Sequence, residues 1–311
     1  MPVAGDKRAI LIAGPTASGK SGLALALAEQ TGGTVINVDS MQVYRELRML
    51  TARPTPADEA RAPHALYGFV SGAEAYSVGR YASDAAKSIA EARAAGRVPI
   101  VVGGTGLYFT ALVEGLSPVA AVDPQVRAYW RAQAAATPAP ELHAILRERD
   151  AETAARLMPT DPQRIVRALE VLESTGRSLA DWQREPRTPM LQEDETLRLL
   201  VLPERAKHPA RIDARFDAMM AGGALQEVRD LLALSLSNEL PIMRALGVAA
   251  LAAHVVGKLS LQEAVAAAKT DTRKYAKRQL TWLKRNMIAW KIIFAQEIEM
   301  IGRNDLSFID R

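Results

Sequence analysis

Residues 14–21 read GPTASGKS, and the apolar run AILIAG (9–14) leads straight into them. Glycines and a Lys-Ser pair at the spacing G-x-x-x-x-G-K-[ST], set between a strand and a helix, make a phosphate cradle. The glycines let backbone N–H groups turn toward anionic oxygens, and the start of the following helix adds a favourable dipole. Gly14, Pro15, Thr16, Ala17, Ser18 and Gly19 form the cradle, Lys20 neutralises phosphate charge, and the Ser21 hydroxyl can bind Mg²⁺. A diphosphate or triphosphate is therefore expected here. The motif does not say what is attached to it.

Downstream segments keep the alternation of strand and helix. TVINVDS (34–40) is rich in β-branched residues and reads as a second buried strand. SVGRYASDAAKSIAEARAAG (77–96) reads as a helix capped by Ser77 and ending near Gly96. VPIVVGGTG (98–106) is a third strand that stops in a second glycine turn, and TLRLLVLP (196–203) is a further strand. From about 117 to 190 the patterns are helical with proline breaks, and PQRIVRALEVLESTG (162–176) is the strongest helix. The expected fold is α/β: a P-loop NTPase-like parallel sheet flanked by helices, with an inserted all-helical domain. Residues 1–116 plus 191–311 would form the catalytic core and 117–190 the insertion. The chain after the last strand reads as helical to about 295, and GRNDLSFID as a loose tail.

Composition narrows the setting. The chain lacks cysteine, which excludes disulfides, zinc–thiolate sites and thiol nucleophiles and fits a cytoplasmic location. No apolar run reaches transmembrane length and the N-terminus has no signal-peptide pattern, so no membrane partner is expected. A monomer is the default expectation. The net charge of +4 is modest, so its distribution matters more than its total.

Asp39 ends the second strand, and it is the one well-placed carboxylate at the strand ends because VPIVVGG carries none. It could be a structural cap, an indirect Mg²⁺ partner or a general base. Ser40 and Gln42 add hydrogen-bonding groups that could read an organic substrate. Thr105 follows Gly103 and Gly104, which also serve as a tight turn. Open α/β sheets bind ligands at the carboxyl ends of their strands, so the loop, Asp39 and Thr105 should converge.

TRKYAKRQLTWLKRNMIAWK (272–291) is basic, and no acid stands between Asp271 and Glu297. Ala276, Leu280, Leu283 and Met287 recur at helical spacing and should face the core, with Lys274, Lys277, Arg278 and Arg285 broadly opposite. Solvated charged faces normally mix both signs, so a single-sign face favours a polyanion over solvent alone. Arg164 and Arg167, three apart in QRIVR, fit a surface pair, a phosphate-clamping lid or an RNA contact.

Taken together, GPTASGKS, VDSMQVYR, TARPT, APHALYGF, VGGTGLYFTALVEGLSP, DPQRIVRALEV and KRQLTWLKR resemble, in order, the successive blocks of the bacterial tRNA dimethylallyltransferase family. The resemblance spans roughly 14 to 285. It implies dimethylallyl diphosphate as donor and, as acceptor, the exocyclic amine of the adenosine 3′ of the tRNA anticodon. The loop would then hold a diphosphate leaving group, with Arg215 in RIDARF as a further contact. Asp39 would be the general base, and Thr105 would orient the base or the leaving group. Ser40, Met41 and Gln42, with Asp39 and Thr105, would meet the flipped nucleotide.

The resemblance also assigns the anticodon arm to Gln163, Arg164, Ile165, Val166 and Arg167, and to Lys277, Arg278, Gln279, Trp282 and Lys284. Arg127 would add a contact, and the insertion would close over the RNA. Leu50 stands where the family often has glycine, and Val248 and Ala249 depart from its pattern after RALG. A small-molecule or nucleotide kinase, using ATP on the same loop, is the competing reading. A relic loop on a noncatalytic RNA-binding module is another.

Overall fold

A computed structural model of the chain describes residues 9–301, with side chains as far as 298. The tail at 302–310 lies outside the described residues. The chain divides into two compact units, Met1–Val113 with Met190–Arg311, and Glu114–Pro189. The edges expected at 117 and 190 thus fall at 114 and 189.

In the larger unit the strands are β1 (Ala9–Ala13), β2 (Thr34–Val38), β3 (His64–Ala65), β4 (Pro99–Gly103), β5 (Thr196–Leu202) and β6 (Lys291–Phe294). They form one sheet in the order β3-β2-β4-β1-β5-β6, with all pairs parallel. Every residue of β1, β2 and β4 is buried, as a parallel sheet covered on both faces requires. The two-residue period of the strands sorts their side chains. Leu11, Ile36 and Val101 enter one core with Tyr81, Phe109 and Leu283. Ile10, Ile12, Ile100 and Val201 enter the other with Leu23 and Leu27.

The helices of this unit are α1 (Lys20–Thr31), α2 (Pro56–Arg61), α3 (Val78–Ala94) and α4 (Gly106–Val113) before the insertion. After the insertion, whose helices are numbered 5 to 9 below, come α10 (His208–Ala221), α11 (Ala224–Ala233), α12 (Val248–Val255), α13 (Leu261–Asn286) and α14 (Ala295–Ile301). The α3 cap forms as read, with Ser77 Oγ accepting the Arg80 N–H. The basic helix starts earlier than its charges suggest. A reciprocal Ser260–Glu263 capping box begins α13 and fixes its entry.

β6 corrects the expectation that everything up to 295 after β5 is helical. Lys291–Phe294 is an edge strand in register with β5, Ile293 pairing with Val201. Four residues with one buried side chain carry too little pattern to read as a strand.

The smaller unit is all helical among its described residues: α5 (Pro124–Ala136), α6 (Ala139–Arg149), α7 (Ala151–Ala155), α8 (Pro162–Thr175) and α9 (Leu179–Arg184). Asp123, Asp150, Asp161 and Ser178 cap four of these through their side chains. Trp130, Leu142, Leu146, Ile165 and Leu169 form the core. Among the described residues of the chain, no helix is long and apolar enough to cross a membrane.

Candidate active site

The site forms where β1, β2 and β4 end. Beyond β1 the chain turns through the glycine loop and enters α1 at Gly19, whose φ of 93° lies in the left-handed region that glycine tolerates. Lys20 then sits at the first position of α1, and its Nζ donates to the Pro15 carbonyl at 3.1 Å. From α10, Arg215 brings Nη1 to 3.4 Å from Thr16 Oγ1. Burial first and the Arg215 charge second lower the Lys20 ammonium to about 8, with Asp39 opposing both. Burial also lowers the Arg215 guanidinium, again against Asp39. Two partly desolvated cations share one small space, and an anion there would be drawn to both.

Asp39 leaves β2 in a tight turn. Its Oδ1 accepts the Met41 N–H at 2.9 Å and the Gln42 N–H at 3.4 Å. Behind it, the fully buried Asn37 side chain accepts the Asp39 N–H and donates to the Asp39 carbonyl. Among the described residues the hydrogen bonds to the Asp39 carboxylate all go to Oδ1 and none to Oδ2. Thr105 follows β4 and joins this turn: its Oγ1 accepts the Ser40 N–H at 3.0 Å, and its own N–H donates to the Val38 carbonyl. Loop, Asp39 and Thr105 thus lie together at the strand ends, with Thr105 hydrogen-bonded to the Asp39 turn.

Tyrosines surround the carboxylate. Burial pushes the Tyr67 and Tyr275 hydroxyls above their usual range, and the Asp39 charge pushes them further. Tyr108 is raised by burial, then by Tyr44 and Asp39. These phenols stay protonated at neutral pH and give Asp39 neutral, ring-bearing neighbours.

A family model described as IPP transferase matches residues 42–286, and one described as isopentenyl transferase matches 7–63. The chain belongs to the IPP transferase family. Among curated relatives, the tRNA dimethylallyltransferase of Parvibaculum lavamentivorans is 51% identical over 97% of this chain and 96% of its own. That of Methylobacterium nodulans is 55% identical over 90% of this chain and 92% of its own. Two solved structures are similar. The full-length tRNA isopentenylpyrophosphate transferase of Bacillus halodurans has a TM-score of 0.68 at 29% identity, covering 98% of this chain and 96% of that one. A eukaryotic dimethylallyltransferase described as acting on tRNA has a TM-score of 0.82 at 27% identity, covering 96% and 77%. Membership of the IPP transferase family, with relatives named tRNA dimethylallyltransferase, does not favour the kinase reading.

The residues expected at RNA divide in two. Lys277, Arg278 and Lys284 are exposed along α13, as are Gln163, Arg164 and Arg127 on the insertion. Others make contacts within the fold. Ile165 and Val166 lie in the insertion's core, because the helical period that exposes Arg164 buries its neighbours. Arg167 reaches back to the buried Glu170 at 3.6 Å. Gln42 spends its amide on the Thr51 and Ala52 carbonyls. Gln279 is buried and Trp282 packs its ring over Gly106.

Sequence reasoning missed Asn37, Tyr67, Tyr275 and His208. His208 donates from Nε2 to the Thr16 carbonyl at 2.8 Å. Leu50 is buried, and its N–H donates to Glu227, which also takes the Arg48 and Met49 amides.

Proposed function

We propose that this chain transfers the dimethylallyl group of dimethylallyl diphosphate to the N6 amine of the adenosine 3′ of the tRNA anticodon, releasing diphosphate. One observation carries this reading. A phosphate loop with two neighbouring cations meets a carboxylate that has an oxygen to spare, on a chain 51% identical to a protein named tRNA dimethylallyltransferase. The diphosphate rests on the loop amides, Lys20 and Arg215. As N6 attacks the allylic carbon, a C–N bond forms, the C–O bond breaks, and its electron pair leaves on the diphosphate. Lys20 and Arg215 stand where that charge grows. Attack makes the amine acidic, and Asp39 takes its proton. The adenosine must leave the anticodon stack to reach these groups.

The residues present fit Mg²⁺. Among the described residues there is no cluster of His, Asp or Glu that could cage a metal. Ser21 is exposed at the start of α1, and the buried Ser18 Oγ beside it in the loop lacks a partner. Mg²⁺ accepts such a site because it takes one or two protein oxygens and completes its shell with phosphate and water. When bound, it would neutralise charge on the diphosphate. A tRNA substrate supports a cytoplasmic setting.

Incubation with unmodified tRNA, Mg²⁺ and dimethylallyl diphosphate, followed by nucleoside mass analysis, tests the reading. A five-carbon gain on adenosine is expected. ATP turnover without that gain would overturn it.

Lys20 sets the pH dependence. Its ammonium is the active form and titrates near 8 in the free protein. The kcat/KM for the donor should fall above that pH, and Lys20→Arg should carry the fall to higher pH. An unchanged profile in the arginine variant would assign the fall to another group.

Lys277 and Arg278 serve the polyanion. Replacing both with alanine should weaken tRNA binding and lower the slope of log affinity against log salt by about 1.5. An unchanged slope would make this face a solvated one.

A further inference from the structure

The peptide of Thr16 is pinned at both ends by side chains from distant helices. Its N–H donates to Gln279 Oε1 at 2.9 Å, and its carbonyl accepts from His208. Gln279, buried on α13, uses its other end too: Nε2 donates to the Gly104 carbonyl at 2.9 Å. Gly104 lies so close that a Cβ there would run into that nitrogen. One residue further on, Thr105 holds Ser40 and so the Asp39 turn. A chain of contacts therefore runs from the phosphate loop through Gln279 to the carboxylate.

We propose that Gln279 is a positioning residue that fixes the distance between the leaving group and the base, with His208 as a second brace on the loop. This rests on the reading of the site given under Proposed function. A side chain with both amide ends committed inside the fold has nothing to offer an RNA base. It does have the means to hold two loops in register, because its amide supplies one acceptor and one donor at a fixed separation. The Thr16 N–H, donated to Gln279, is removed from the set of amides that face phosphate. The remaining amides of the loop inherit their orientation from that anchored peptide. Transfer between a bound donor and a flipped base depends on such registration, and a misplacement near 1 Å costs on the order of 100-fold.

Gln279→Met keeps the length and removes both hydrogen bonds. At saturating donor and tRNA its kcat should fall by about 10- to 100-fold, while tRNA affinity stays at the parent value. Gln279→Glu keeps the acceptor for Thr16 but sets a carboxylate against the Gly104 carbonyl, and it should not restore kcat. Hydrogen exchange over the peptide 14–21, followed by mass spectrometry, should be faster in Gln279→Met than in the parent. That measurement needs no activity, so it tests the brace even if the proposed acceptor is wrong. Weakened tRNA binding with parental kcat, or unchanged exchange across the loop, would overturn the proposal. Should Gln279→Met not fold, His208→Phe, which has no donor for the Thr16 carbonyl, reads the same loop from its other brace and should speed the same exchange.

Discussion

Asp39→Asn is expected to lower kcat by roughly 10²- to 10⁴-fold, the usual worth of a general base, and to leave tRNA affinity intact. The choice of asparagine matters. Asp39 Oδ1 holds the turn by accepting the Met41 and Gln42 amides. Alanine would remove that cap together with the base and confuse the two. Asparagine keeps an oxygen for the cap and gives up only the capacity to take a proton. Single-turnover rates with prebound tRNA separate the outcomes. A slow step on normally bound RNA supports the base, whereas a parental rate would leave Asp39 as a turn cap alone. The buried Asn37 supplies a control, because Asn37→Ala disturbs the backbone of the same turn without touching the carboxylate.

Much of this site was legible because its parts are local in sequence. The loop declares itself through glycine spacing and through the strand before it, and both depend on residues within a few positions of one another. Asp39 was legible as the acid that ends a β-branched run. What stayed hidden is held by long-range contacts. Gln279 reaches the loop across 263 positions and His208 across 192. Neither spacing leaves a trace in a local pattern. Gln279 lies in a basic helix whose charge argues for RNA, and no local pattern marks a neutral amide among lysines as buried. The helical period that identifies α8 does place Ile165 and Val166 inside beside the exposed Arg164, so their burial is legible in the sequence. Four-residue β6 offered too short a pattern, and its pairing with β5 depends on the fold around it.

Lys20→Met should slow transfer by about 10²- to 10³-fold, comparable to the loss of one preorganised donor at a developing anion, while leaving the protein as stable as its parent or more so. The second half follows from the direction of the Lys20 shift. The ammonium titrates near 8 when folded and at 10.5 when free, so folding disfavours its charged form. That penalty is fully present below pH 8 and fades as pH rises toward 10.5. Removing the charge should therefore raise the melting temperature at pH 7, and the difference from the parent should shrink between pH 8 and 10.5. The Arg215 charge is the second cause of the shift after burial, so Arg215→Met should move the Lys20 titration upward and delay the fall of kcat/KM. Donor diphosphate should do the same by lending the site negative charge, so it should stabilise the parent more than Lys20→Met. A variant that loses both activity and melting temperature at pH 7 would instead make Lys20 a structural brace on the Pro15 carbonyl. A residue kept against its own folding preference, in a loop whose geometry is fixed by helices far away in sequence, is what transition-state stabilisation by charge demands.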